Sequence, residues 1–248
     1  MPLRPRAIEP MRICVIGNSH AAMIKGGWDR IAAEYPGVSL TFFASPGGAM
    51  SQLAARDGRL VARRPELRQD FVITSGGMQD IDPAQFDVFV TCGMKLSLRD
   101  PDPRLSSALR THLLASQMQS LNLTCARLVR EVTDKPVLLL PIPLRAAEGP
   151  EPEGEAETAR KAYAAKISAL SNMVATDRLI VVGQPASTIG AGGVTEARWS
   201  RGSVKLDHAN RKGGDFYGDH DRAHMNADFG ALWLRELLPV AAELVAMS

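Results

Sequence analysis

Cysteine is scarce and unpatterned in this sequence of 248 residues: only Cys14, Cys92 and Cys125, an odd number with no CxxC or Cys/His spacing. That excludes a disulfide framework as the source of stability and predicts reduced thiols, as in a cytoplasm. Long hydrophobic runs are missing too. The run from Val137 to Leu144 is about half of what a membrane span needs, so no membrane partner is expected. The first residues, Met1 to Met11, carry Arg4, Arg6 and Glu9 in place of an apolar leader, which also points to a cytoplasmic location. No charge of one sign dominates. With 29 Lys and Arg against 27 Asp and Glu the formal net charge is +2, which provides no drive toward nucleic acid. There is no internal repeat and no linker flanked by shifts of composition.

What is present is a globular composition, 45% apolar and 23% charged, in a length that builds a substantial core. Five short, β-rich apolar runs recur: Arg12 to Gly17, Val38 to Ala44, Phe86 to Cys92, Val137 to Leu144 and Arg178 to Gly183. They are continuous rather than alternating, as strands buried on both faces of a parallel sheet are. Helical patterns separate most of them. Ile24, Trp28, Ile31 and Tyr35 share one face of a helix stopped by Pro36 and Gly37. Asp102 and Pro103 suit the start of a long helix whose stripe is Leu105, Leu109, Leu113, Leu121, Cys125, Leu128 and Val132. Further helices are expected near Glu157 to Val174 and from Ala227 onward, the last with a kink at Pro239. This alternation predicts one α/β domain over 1–248 with a parallel sheet. Three segments interrupt it: an inserted hairpin or loop at Gly58 to Asp82, a solvated loop at Ala146 to Glu155, and Gln184 to Asp219, whose length without periodicity marks it as functional or mobile.

The first strand ends in Gly17-Asn18-Ser19-His20, immediately before a helix. Ligands of open α/β sheets bind beyond the carboxyl ends of the strands, so Ser19 falls at that rim, near the free N–H groups of a helix start. A plain N-cap explains a serine there equally well. The second feature is Asp219-His220-Asp221-Arg222-Ala223-His224-Met225-Asn226, with Asn226 suited to cap the last helix. Asp221 and His224 are spaced so that, on a tight turn, the carboxylate takes the imidazole Nδ1 proton and leaves Nε2 free for a serine hydroxyl. The order Ser, Asp, His then allows a nucleophilic relay. Two other readings compete: His220 and His224 form HxxxH, a zinc pattern that lacks its glutamate and a third ligand, and a polar loop needs no chemistry at all.

Together these residues resemble the SGNH/GDSL hydrolase superfamily over essentially the whole chain from Arg12 to the last helix. Gly17-Asn18-Ser19 is similar to its first block, with Asn18 where many members carry Asp, and Asp221 to Asn226 is similar to its last. The resemblance implies a three-layer α/β/α sandwich with a flavodoxin-like, five-stranded parallel sheet, and it gives roles to Ser19 (nucleophile), His224 (general base) and Asp221 (orienting carboxylate). It implies an oxyanion hole from Ser19 and one of Gly47 or Gly48 in Ser45-Pro46-Gly47-Gly48. The family's GxN block aligns with Gly93-Met94-Lys95, so Lys95 stands where an asparagine is expected; an ammonium still donates but lacks the fixed amide geometry. Gly77-Met78-Gln79-Asp80 looks similar but precedes the third strand. Asn18, His20 and Gly93 are the residues expected to touch substrate.

The function these residues imply is a serine esterase without cofactor or metal, acting on a small O-acyl ester that is carbohydrate-linked by resemblance alone. A noncatalytic carbohydrate-binding relative, fed by Lys95, and an acyltransferase using the same serine are the alternatives. No residue fixes the oligomeric state. Arginines from Arg56 to Arg68 suit an anionic sugar, phosphate or polysaccharide or, more simply, a solvated face; Trp199 suits a sugar platform or a loop anchor. His112 belongs to the long helix, and Asp207, His208, Asp215 and Asp219 are substitutes for the Asp/His pair.

Overall fold

Strand β1 (Met11–Gly17) is buried along nearly its whole length, and it occupies an interior position of the sheet. The computed structural model describes residues 9–98, 104–109, 119–148, 154–209 and 214–247. β1 pairs in parallel with β2 (Val38–Ala44) on one side and β5 (Val88–Cys92) on the other. Beyond β5 lie β6 (Val137–Leu140) and the short β7 (Ile180–Val181), giving the order β2-β1-β5-β6-β7. Counting only these five strands along the chain, that is 2-1-3-4-5, the flavodoxin-like arrangement. β3 (Leu53–Arg56) and β4 (Arg59–Ala62) form a separate antiparallel hairpin.

The pleat sends alternate apolar side chains to two different cores, which is why the strands read as unbroken apolar runs. Cys14, Ile16, Phe89, Val137 and Leu139 face one core, shared with Phe71 of α2 (Pro65–Ser75), Leu123 and Val129 of α3 (Leu121–Val132), and Leu170 of α4 (Ala156–Val174). Ile13, Val15, Val88, Val90, Leu138 and Leu140 face the other, filled by Met23 and Ile24 of α1 (Ala21–Ile31) and by Phe229, Trp233 and Leu237 of α5 (Ala227–Ala246). Three layers result, with α2, α3 and α4 on one face and α1 and α5 on the other. No described helix is long and apolar enough to cross a membrane.

Several expectations need correction. The segment from Gly58 to Asp82, expected as an inserted hairpin or loop, does contain a hairpin strand, β4, paired with β3, but it also supplies the helix α2, whose Phe71 packs edge-on against Phe43 of β2 at 5.3 Å. Its arginines masked that apolar face. The long helix expected from Asp102 does not run into α3, because Ser120 lies in extended backbone and accepts the Leu123 N–H as an N-cap. Leu109, assigned to the buried stripe, is 43% exposed. His112 and Leu113 lie outside the described residues. The α1 pattern ends at Ile31, where a 3-10 turn takes over before Tyr35. α5 continues through Pro239, with Leu237, Leu238 and Ala241 buried on either side of it.

Candidate active site

The strand order reverses direction between β1 and β5, and the chain leaves these two strands at Gly17 and Cys92. Such a switch point leaves a crevice at the carboxyl rim. Two turns fill it. After β1 the chain passes through Asn18-Ser19-His20 into α1; after β5 it passes through Gly93, Met94 and Lys95, all three with positive φ (74°, 49° and 67°). Left-handed backbone is costly at Met94 and Lys95, about 1–3 kcal/mol each, so something must hold it. Asn122 does: its backbone N–H donates to Met94 O at 3.0 Å and its side-chain amide to Gly93 O at 2.9 Å and Leu140 O at 2.8 Å. The two turns touch at Gly93, where a Cβ would lie 2.5 Å from Asn18 Oδ1 and 2.9 Å from His20 Cδ2. Only glycine fits there.

Ser19 is not the N-cap of α1; His20 takes that position, without a side-chain cap. The Ser19 hydroxyl instead lies 3.0 Å from Nε2 of His224. On the other side of the ring, Nδ1 is 3.0 Å from Oδ2 of Asp221. Oδ1 of Asp221 accepts the backbone N–H groups of Ala223 (2.9 Å) and His224 (2.8 Å), so the carboxylate closes its own turn. Burial pushes the Asp221 carboxyl up, but these hydrogen bonds and the imidazole outweigh it and hold the group below the usual carboxylate range. Asp221 is thus held ionised beside Nδ1, an arrangement in which the carboxylate can accept a proton carried on Nδ1 and leave Nε2 to accept from Ser19.

Residues 205 positions apart meet because their helices do. α1 and α5 cross at bare backbone: a Cβ on Gly230 would lie 1.8 Å from Met23 O, and one on Gly27 would lie 2.3 Å from the Ala231 nitrogen. Ser19 stands just before α1 and His224 just before α5, so this crossing sets their separation. Asn226 fixes the loop side. Its side-chain oxygen accepts the Phe229 N–H, its amide donates to Arg198 O and Arg201 O, and its own N–H donates to Trp199 O at 2.7 Å. Trp199 packs edge-on against Phe229, which makes it an anchor of the long loop rather than a platform.

His20 stacks on His224, ring centroids 4.9 Å apart. Burial, then the like charge available to His224, lower its pKa to about 3 despite the pull of Asp221, so His20 is neutral at physiological pH. Its Nδ1 is buried without a partner among the described residues. Gly47 has φ of +65° and faces open space, as does Gly48. Among the described residues, none accepts a hydrogen bond from the backbone N–H of Ser19, Gly47 or Gly48. The Gly47 loop is braced from behind: the Ser45 hydroxyl donates to the buried Asp70, whose other oxygen accepts the Ala209 N–H at 2.8 Å.

Lys95 is exposed and lines a cleft of about 680 Å³ with Gly48, Ser51, Gln119, Ser120, Leu121 and Thr124; it makes no hydrogen bond to Ser19 or His224. Gly77 to Asp80 follow the end of α2 and lie before β5. His220 is exposed beside Arg145 and Arg222 on a loop, and both nitrogens of His224 already face Ser19 and Asp221, so the HxxxH pair is not aligned on a helix face. Asp207, His208, Asp215 and Asp219 are not in the chain of contacts from Ser19 to Asp221. Arg56 pairs with Asp57 and Arg59 with Asp82 at the hairpin. Asn122, Asp70, Gly27, Gly230 and Tyr217 were not singled out from sequence. Glycines inside helices at Gly27 and Gly230 were a usable signal, since each costs a helix about 1 kcal/mol relative to alanine unless a close approach requires it.

No family model matches the sequence, and no curated protein is similar to it. Among solved structures, the chain is similar to a lipopolysaccharide acetyltransferase periplasmic domain from Salmonella ser. Paratyphi A, with 13% identity, a TM-score of 0.44, and coverage of 94% of this chain and 84% of that one. A likeness at that level assigns no chemistry to this chain.

Proposed function

We propose that this chain is a serine-dependent acyl-ester hydrolase of the SGNH type. The observation that carries the reading is the continuous line from Ser19 Oγ through the His224 ring to Asp221, with 3.0 Å at each contact, at the switch point of the sheet. Ser19 Oγ attacks the ester carbonyl carbon while its proton passes to Nε2 of His224, and Asp221 stabilises the imidazolium. The oxyanion takes hydrogen bonds from the N–H of Ser19 and of Gly47 or Gly48. Collapse breaks the carbon–oxygen bond to the alcohol, which leaves with the proton from His224. Water, deprotonated by the same ring, then releases the acid and restores Ser19.

Small O-acyl groups are the proposed substrate class, and a carbohydrate-linked ester is preferred through the family resemblance alone. Transfer of the acyl group to a sugar hydroxyl instead of water uses the same intermediate and differs only in the acceptor. Purified protein incubated with 4-nitrophenyl acetate should release nitrophenolate, and Ser19→Ala should lose about 10³-fold or more of that turnover. Equal rates for the two proteins would remove the reading; retained folding with no turnover in either would favour a binding protein on this fold. Adding sugar acceptors and measuring acetylated product separates transfer from hydrolysis.

A further inference from the structure

The imidazole of His224 is enclosed on both faces. Tyr217 lies against it with ring centroids 3.8 Å apart and planes 6° apart, and His20 stacks at 4.9 Å and 22°. Two rings at these distances would overlap on one face, so they occupy opposite faces. His20 comes from the β1–α1 turn and is fixed by Gly93 and Asn18. Tyr217 comes from elsewhere, on a two-stranded ribbon. The Tyr217 N–H donates to Ser203 O at 2.9 Å, the Lys205 N–H donates to Asp215 O at 2.8 Å, and Val204 bridges Phe216 in antiparallel fashion. Alternation along the ribbon turns Val204 and Phe216 outward, 39% and 63% exposed, and leaves Ser203 buried on the inner side with Tyr217. The Lys205 ammonium lies 5.4 Å from the centre of the same tyrosine ring, within cation–π range.

A ring tied to Asp221 through Nδ1 alone keeps freedom of tilt about that contact, and tilt moves Nε2 away from the Ser19 hydroxyl. Stacking on both faces removes it. We infer that Tyr217 is a positioning residue of the proposed reaction: its ring fixes the plane of the His224 imidazole, and its π face supports the charge that the imidazole takes up as Ser19 attacks. The inference rests on the reading of Ser19, His224 and Asp221 as a relay. Tyr217 acts through His224, so its effect falls on kcat and not on KM.

The test uses the full-length protein, with Tyr217→Ala and Tyr217→Phe, and three readouts: kcat and KM on a small acetyl ester, the rate of covalent labelling by a fluorophosphonate, and the NMR position of the His224 ring protons. Tyr217→Ala is expected to lower kcat and the labelling rate by about 10- to 100-fold with KM within about twofold, the size expected when a reacting group is misplaced by an ångström or less. Tyr217→Phe keeps the ring and is expected to stay within about threefold of wild type. The His224 ring protons should resonate upfield in wild type and Tyr217→Phe, shielded by the stacked ring, and move downfield in Tyr217→Ala. Wild-type kcat in Tyr217→Ala, or Tyr217→Phe as slow as Tyr217→Ala, would overturn the role of the ring while leaving the relay intact. Absence of labelling and turnover in the wild type, with the upfield resonances in place, would instead overturn the relay reading itself.

Discussion

Burial decides the chemistry of His20. The residue is only 7% exposed, and its folded pKa of about 3 lies far below the value of about 6.5 in an unfolded chain. Above pH 6.5 both states hold the ring neutral and the residue makes no pH-dependent contribution. Between pH 6.5 and about 3 the unfolded chain takes a proton that the folded protein refuses, so stability falls as pH falls, by roughly 5 kcal/mol in all. Asp221 acts in the same direction further down: its folded pKa is depressed, so its stabilisation is present above the unfolded carboxylate value and is lost as pH drops through the folded one. Urea unfolding from pH 7 to pH 4 should therefore show a steep loss of stability in wild type and a shallower one in His20→Asn, which has no proton to bind. Parallel slopes for the two proteins would mean that His20 titrates normally in the fold. His20 was legible in the sequence as a neighbour of Ser19; its neutrality was not, because it depends on Gly93 and His224, which arrive from other parts of the chain.

At the scale of elements, the α1–α5 crossing holds the two halves of the site together. Backbone meets backbone at Gly27 and Gly230, and the ion pairs Arg30–Asp228 and Glu34–Arg235 that flank the contact are solvent-exposed and add little to it. Gly230→Ala places a methyl group on the Met23 carbonyl and forces the helices apart. It should lower the unfolding free energy by about 3 kcal/mol or more, at the upper end of overpacking costs, and slow covalent labelling of Ser19 under conditions where the protein stays folded. A solvent-facing control, Met173→Ala in α4, should change neither; similar behaviour of the two variants would show that the crossing does not set the site. The helices themselves were readable from their periodicity, and α4 and α5 begin where the pattern places them. α2 was missed since Arg64 and Arg68 surround the few apolar residues, Leu67 and Phe71, that bury it. The break before α3 was missed because Leu121 and Cys125 continue the spacing of Leu105 and Leu109, while the Ser120 cap overrides that spacing locally.

Over the whole molecule, the sheet was the most legible part. A strand buried on both faces is apolar at most positions, and five such runs separated by helices leave few arrangements other than a parallel three-layer sandwich. The residues of the proposed relay were legible for a different reason: Ser19 and the Asp221–His224 pair sit beside the first strand and the last helix, whose positions are the easiest to fix. The residues that aim them were hidden. Asn122 shapes the Gly93 turn from α3, Asp70 braces the Gly47 loop from α2, and Tyr217 reaches His224 on a ribbon inside a stretch with no periodicity. Each acts across a tertiary contact that spacing along the chain does not encode. The most direct measurement of the central claim is intact-mass analysis after treatment with a fluorophosphonate, followed by mapping of the modified peptide. One adduct per chain, located on Ser19 and absent from His224→Ala, is the expected result. An unmodified, folded protein, or an adduct at another residue, would contradict it.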